Sequence, residues 1–181
     1  MQGAVGSISI GKDLGSLLPG AVRVFVVGSS PTDGHPSIAF KSLTIGGNVL
    51  NADIRGGSSV GASNPDAQIG TVKVKGDWTA SSLSAGVLPG VHGFGTAADA
   101  PITQAGEPDA FFSKIASITI GGNVEGTAGG TDRFGFVAQE IGALRIHGVA
   151  VKLTAGRSND TSVTDPAHLL GTTGDVVVHE V

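Results

Sequence analysis

A ten-residue pattern recurs five times along this chain, and it constrains the fold more than any other feature. The pattern is clearest at Ile69–Trp78 and returns at residues 40–49, 115–124 and 141–150, with an altered copy at residues 5–14. The shared pattern reads apolar, two small or polar residues, apolar, polar, apolar, any residue, glycine, Asn or Asp, apolar. Internal similarity at a spacing of a few tens of residues is typical of proteins that stack one structural unit on the next.

The predicted fold is all-β: a parallel β-helix, or β-solenoid, formed by residues 1–181 as one domain, with right-handed winding favoured and irregular loops at the corners. The copies begin at residues 5, 40, 69, 115 and 141, so their spacings are 35, 29, 46 and 26 residues. Such spacings suit coils of roughly 20–25 residues with insertions at the corners. The longest gap leaves room for one coil without the pattern, and residues 175–181 are predicted to form a closing strand. No segment has the 3.6-residue apolar period of an amphipathic helix.

The alternation within each copy predicts which side chains face the interior, since successive side chains of a strand point to opposite faces. Trp78 falls on the inward face, which favours a core role over a sugar-stacking role. The predicted inward columns are Ile8/Ile10/Leu14, Leu43/Ile45/Val49, Val72/Val74/Trp78, Ile118/Ile120/Val124 and Leu144/Ile146/Ala150.

Two further columns follow the strand in each copy. Glycine at 47, 76, 122 and 148 indicates a tight bend or a positive φ, and Lys12 replaces it in the first copy. The next column reads Asp13, Asn48, Asp77, Asn123 and Val149. Asn and Asp bond to nearby backbone in turns, so this column predicts a ladder of side-chain hydrogen bonds along one corner. A calcium site is the alternative, but carboxylates alternate with amides and supply little negative charge for it.

The outward face of the copies carries a dilute basic stripe of Lys73, Lys75, Arg145 and His147. An ordinary solvated face is the simple interpretation. The functional interpretation is contact with acidic glycans or another polyanion.

Composition excludes several classes of function. A net charge of −4 argues against a general nucleic-acid binder, which is usually basic. The absence of cysteine excludes disulfides, thiolate zinc sites and a cysteine nucleophile. No apolar run is long enough to span a membrane, and the first residues do not have the pattern of a signal peptide. Export would therefore require a leader that was removed or that lies upstream.

No constellation of catalytic or cofactor-binding residues is evident, so we expect no enzyme and no cofactor. The five histidines, His35, His92, His147, His168 and His179, have no metal-ligand spacing. Stacking would bring distant carboxylates together, and the candidates are Asp53, Asp66, Asp99 and Asp132, with Arg55 or Arg133 as partner. The oxygen-rich loop at residues 158–165 is the remaining calcium candidate.

The segments Leu43–Val49 and Ile118–Val124, both with Thr-Ile-Gly-Gly-Asn-Val, resemble the long glycine-rich repeat proteins of environmental bacteria. Residues 132–142 and 171–181 resemble the closing segment of such proteins. This resemblance implies a parallel β-helix of the adhesin or filamentous-haemagglutinin kind, located outside the cell or on its surface.

The expected function is therefore structural: a surface layer, an adhesin stalk or a fibre. Exposed strand edges pair with other strands unless they are covered, and the sequence shows no amphipathic α-helix that would cover either end of the β-helix. Head-to-tail stacking of copies would satisfy those edges and give a filament. A glycan-binding module that uses the basic stripe and residues 86–110 is the first alternative, and a polysaccharide lyase or hydrolase is the second.

Overall fold

The computed structural model describes residues 3–18, 20–28, 37–104, 110–161 and 166–181, and this part of the chain is all-β. Its one helical element is a 3-10 turn at Pro166–His168. The strands, in chain order, are β1 Val5–Ile10, β2 Leu14–Gly15, β3 Val22–Val26, β4 Ile38–Ile45, β5 Val49–Leu50, β6 Ala52–Gly56, β7 Ser58–Ser59, β8 Ala62–Ser63, β9 Gln68–Val74, β10 Trp78–Thr79, β11 Ser82–Ala85, β12 Val87–Leu88, β13 Ala100–Pro101, β14 Lys114–Ile120, β15 Val124–Glu125, β16 Phe134–Ala138, β17 Glu140–Ile141, β18 Leu144–Ile146, β19 Val149–Val151, β20 Leu169–Leu170 and β21 Val176–Glu180.

The chain visits three parallel sheets in the same order four times. The first sheet runs β1-β4-β9-β14-β18, the second β2-β5-β10-β15, and the third β3-β6-β11-β16-β21. Each set of three strands, one from each sheet, is called a coil below. The register follows the sequence pattern: Val72 pairs with Leu43 on one side and Ile118 on the other. The predicted all-β class with parallel strands is confirmed.

Apolar columns from the three sheets meet in one core. The predicted inward residues of the middle coils are all buried, and Trp78 lies at its centre with no exposed surface. Ile54, Leu83, Phe136 and Val178 supply the matching column from the third sheet. Because every coil repeats the pattern, apolar side chains at matching positions lie on top of one another from coil to coil and fill the interior.

The predicted ladder of Asn and Asp side chains is confirmed along the corner between the first and second sheets. The N–H of Asn48 donates to the Asp13 carboxylate (2.6 Å), that of Asp77 to Asn48 Oδ1 (2.8 Å), and that of Asn123 to Asp77 Oδ1 (2.8 Å). The glycine before each ladder residue is required by space, because a Cβ at Gly47, Gly76 or Gly122 would overlap the ladder oxygen of the preceding coil. Lys12 belongs to the first coil, so no earlier described coil places an oxygen there.

The fifth copy of the pattern departs from the prediction. His147 and Gly148 both have positive φ, 49° and 78°, and form a two-residue turn. Strand β19 consequently folds back antiparallel onto β18, and Ala150, predicted to face inward, is exposed. A two-residue turn with both φ values positive is the geometry that joins tight antiparallel hairpins. The ladder also stops here, where Val149 replaces Asn or Asp.

The 46-residue gap contains no additional coil, since β14 pairs directly with β9. Part of the gap instead forms the short antiparallel pair β12–β13 over the third sheet. The prediction of an extra coil in this gap is therefore wrong, and β12 and β13 lie on the outside of the stack.

The C-terminal end of the stack is covered, which differs from the expectation that neither end is. Strand β20 lies antiparallel on the outer edge of β21, and the N–H of Glu180 donates to the Asp160 carbonyl at 2.7 Å. The buried Glu180 carboxylate accepts the N–H groups of Ile141, Asn159 and Asp160. Burial raises the pKa of Glu180 even though these three bonds lower it. Over the second sheet, Thr172 caps the last strand through the Glu125 carboxylate.

Candidate functional site

A groove of about 670 Å³ runs over the outer face of the third sheet. Its lining comes from all four coils: Leu17 and Arg23 from the first, Asn51 and Asp53 from the second, Ala80 and Ser82 from the third, and residues 127 and 132–134 from the fourth. Residues 89–94 form one wall. Since neighbouring strands lie about 4.8 Å apart, a groove that crosses four coils extends over about 14 Å.

Arg55 is fixed at the floor of the groove. Its Nε and Nη2 donate to both oxygens of Asp53, at 2.6 to 3.0 Å. The guanidinium also lies over two aromatic rings, 4.9 Å from the centre of Phe25 and 5.1 Å from that of Phe94. Hydrogen bonds to the Asp53 carboxylate and contact with the two rings hold the guanidinium in one position, so it is ordered before any ligand binds.

The wall at residues 89–94 is also held in place. Phe94 is buried against Val87 and Val137, which point outward from the stack. The buried Asp99 carboxylate accepts the N–H groups of Gly90 (3.0 Å) and Gly95 (2.6 Å) and contacts His179 Nδ1 at 3.2 Å. The N–H of Arg133 donates to the carbonyl of His92 at 2.8 Å, which ties the wall to β16. The wall of the groove is therefore held by the same kinds of hydrogen bonds and apolar packing as the rest of the fold.

The remaining charges of the groove are exposed. Arg23, Arg133, Asp132 and His92 all face solvent along its lining. Within the described residues, neither Arg23 nor Arg133 has an ion-pair partner. Because Asp53 is neutralised by Arg55, two arginines and one aspartate remain, and the groove is locally positive in a chain of net charge −4.

The four carboxylates considered from the sequence have different positions. Asp53 and Asp132 line the groove, but Asp53 is bound at both oxygens by Arg55. Asp99 is buried behind the wall. Asp66 is buried elsewhere, beside Asn64, and its Oδ2 has no hydrogen-bond partner. In the described part of the chain, no group of three or more metal-binding side chains is close enough to share an ion. His35 and residues 162–165 of the oxygen-rich loop lie outside the described residues.

The buried Asp66 leads to a pH-dependent prediction. Burial raises the pKa of Asp66 above its unfolded value of 3.8, so its contribution to stability is present below that pH and is lost as pH rises through the folded pKa. We expect Asp66→Asn to raise the midpoint of urea unfolding at pH 7 relative to wild type, with the difference disappearing near pH 3.

The matched control is Asp77→Asn. Asp77 is exposed, and an amide oxygen makes the same ladder bond at Asn48, so we expect little change at either pH. Equal destabilisation by Asp66→Asn at both pH values would instead assign Asp66 a hydrogen-bonding role.

The predicted basic stripe is on a different surface from the groove. Lys73, Lys75, Arg145 and His147 are all exposed at the first sheet, where Thr119 separates Lys73 from Arg145 in the register. Arg145 Nη1 donates to the Gly148 carbonyl at 3.3 Å. The stripe stays a prediction.

The N-terminal end of the stack has free strand edges. Among the described residues, the pairing of all three sheets ends at β1, β2 and β3. Leu17 and Leu18 lie near this end and are 71% and 73% exposed. A methyl group at Gly6 or Gly11 would meet nothing within 4 Å, whereas at Gly46 or Gly70 it would overlap a carbonyl of the preceding coil. This end therefore has the shape of a surface that is ready to receive another strand layer.

Comparison of the chain with protein families, with curated proteins and with solved structures gave no match. Within its described residues, the chain contains no helix with the length and hydropathy needed to cross a bilayer.

Proposed function

We propose that this chain is a parallel β-helix that serves as a structural element outside the cell or on its surface, and that two copies join through their N-terminal ends. The repeated order of three parallel sheets supports the solenoid, and the resemblance to glycine-rich repeat proteins supports the location. The observation that carries the self-association is a contrast within the described residues: all three sheets end in unpaired parallel strands at the N-terminal end, whereas antiparallel strands cover the C-terminal end.

Two features favour joining N-terminal end to N-terminal end over head-to-tail stacking. A head-to-tail contact would have to pair with β19 and β20, which run antiparallel to the strands beneath them and so interrupt the parallel order of the coils. Lys12 also stands where later coils need glycine to accommodate the ladder oxygen of the coil before. A partner in the same orientation would meet that lysine, while a two-fold partner approaches with its strands reversed. Two-fold contacts are closed and give dimers.

The experiment blocks one edge at a time with proline. Alternate residues of a parallel strand bond to opposite neighbours. The Ile10 carbonyl accepts the N–H of Gly46, the residue after β4, so the N–H of Ser9 points to the free edge. Ser9→Pro removes that donor and leaves the β1–β4 bonds intact, as proline does on edge strands. We expect wild type to sediment as a dimer at high concentration and Ser9→Pro to stay monomeric.

Ala150→Pro is the control at the opposite end. Ala150 is opposite Arg145 in the hairpin, and the backbone groups of Arg145 bond toward β14, so the N–H of Ala150 also points outward. We expect this variant to dimerise like wild type. A wild-type chain that is monomeric at every concentration, or equal loss of association in both variants, contradicts the proposal.

A further inference from the structure

We propose that the groove over the third sheet binds a linear oligosaccharide with carboxylate groups, such as a chain of uronic acids. This site runs along the outer face of the third sheet and begins at the first coil, where it shares Leu17 with the N-terminal end through which the chain is proposed to pair. It is separate from the basic stripe of Lys73, Lys75, Arg145 and His147, which lies on the first sheet.

The charges of the groove favour a carboxylated ligand. Arg23 comes from the first coil and Arg133 from the fourth, so two unpaired guanidinium groups belong to opposite ends of the groove. Guanidinium binds carboxylate through two parallel hydrogen bonds. Two such groups separated along an extended groove fit a ligand whose negative charges recur along a chain, in contrast to a compact ligand with one anionic centre.

The floor between the two arginines suits sugar rings. The groove combines the polar side chains of Asn51 and Ser82 with the exposed apolar side chains of Leu17 and Val91. Sugars present hydroxyl groups at their edges and apolar C–H faces, so they need hydrogen-bonding groups and flat apolar surface side by side. Binding sites for small ligands occupy about 300 to 1,000 Å³ and combine these two kinds of surface.

The groove is already in its binding shape. Arg55 is fixed by Asp53, Phe25 and Phe94, and the wall is held through Asp99. A ligand that enters a rigid site orders few protein groups, and a modest number of contacts then suffices for measurable affinity.

The test measures binding of tetragalacturonate by isothermal titration calorimetry at a fixed salt concentration. The variant carries Arg23→Gln together with Arg133→Gln, two exposed residues whose replacement spares the core. We expect wild type to bind and the double variant to lose at least about tenfold in affinity, as expected when two charge-assisted contacts are removed.

The matched control carries Lys73→Gln together with Lys75→Gln, which removes the same net charge from the first sheet. We expect its affinity to stay within about twofold of wild type, since an exposed charge beyond a Debye length of about 10 Å is screened. A neutral oligosaccharide of equal length should bind at least about tenfold more weakly than tetragalacturonate. No binding to wild type, equal loss in the two double variants, or equal affinity for the neutral oligosaccharide overturns the proposal.

Discussion

Trp78→Ala is expected to destabilise the fold by about 4 kcal/mol, because truncation of a buried tryptophan leaves a cavity as well as removing buried surface. Trp78 has no exposed surface, and its ring centre lies 5.0 Å from that of Phe136 across the interior. Its indole N–H donates to the Ser81 carbonyl at 2.9 Å. Total stabilities of domains are about 5–15 kcal/mol, so this one change removes a large part of the margin.

Urea unfolding followed by far-ultraviolet circular dichroism measures this effect, since Trp78 is the only tryptophan and its fluorescence is lost in the variant. Trp78→Phe is the control, because it keeps an aromatic ring against Phe136 and loses only the indole N–H and part of the volume. We expect it to cost roughly half as much as the alanine variant. A change of less than about 1 kcal/mol in Trp78→Ala would show that the core closes over the vacancy.

Gly70→Ala is expected to destabilise the chain by about 2 kcal/mol, the usual scale for an added group in a packed site. Gly70 lies within β9, and a methyl group there would overlap the Lys41 carbonyl oxygen of the preceding coil. The methyl group is attached directly to the backbone of β9 and the carbonyl belongs to the backbone of β4. Neither can move away without disturbing the β4–β9 register.

Gly6→Ala is the matched control, because Gly6 has the same place in the first copy of the pattern. Nothing lies within 4 Å of a Cβ there, and replacing a glycine in an unstrained strand restricts the unfolded chain, so we expect a gain of about 0.5 kcal/mol. Chemical denaturation at a low protein concentration, where the monomer dominates, measures both variants. Equal losses at the two sites would mean that strand entropy, and not contact with the preceding coil, governs the glycines.

The core and the corner ladder were predictable from the sequence because they repeat. The inward position of Val72 follows from its counterparts Leu43 and Ile118, which are also apolar, and comparison of the copies identifies those counterparts. The same comparison predicts the fifth copy wrongly, because its first six residues match the pattern although His147-Gly148 forms a turn. The lost ladder residue and the His-Gly pair were the signals of a turn.

The groove was not predictable, because its residues lie outside the repeated pattern. Arg23, Asp53 and Arg133 belong to the third sheet and its loops. No repeated sequence pattern shows which residues of neighbouring strands pair in this sheet. The sequence offers Asp53, Asp132, Arg55 and Arg133 as candidates, but only the register of the third sheet brings them to one surface. Alternation within Val22-Arg23-Val24 and Asp53-Ile54-Arg55 was the available signal, since charged residues there must point outward.

The corner ladder also determines what a deamidation of Asn48 would change. Deamidation of Asn48 converts an amide oxygen into a carboxylate oxygen, and the N–H of Asp77 retains its acceptor. The geometry of the corner survives, as the carboxylates of Asp13 and Asp77 already show. Three consecutive rungs would then carry negative charge on strands about 4.8 Å apart. The expected effect of such a deamidation is therefore electrostatic repulsion along the corner, which increases as salt is removed.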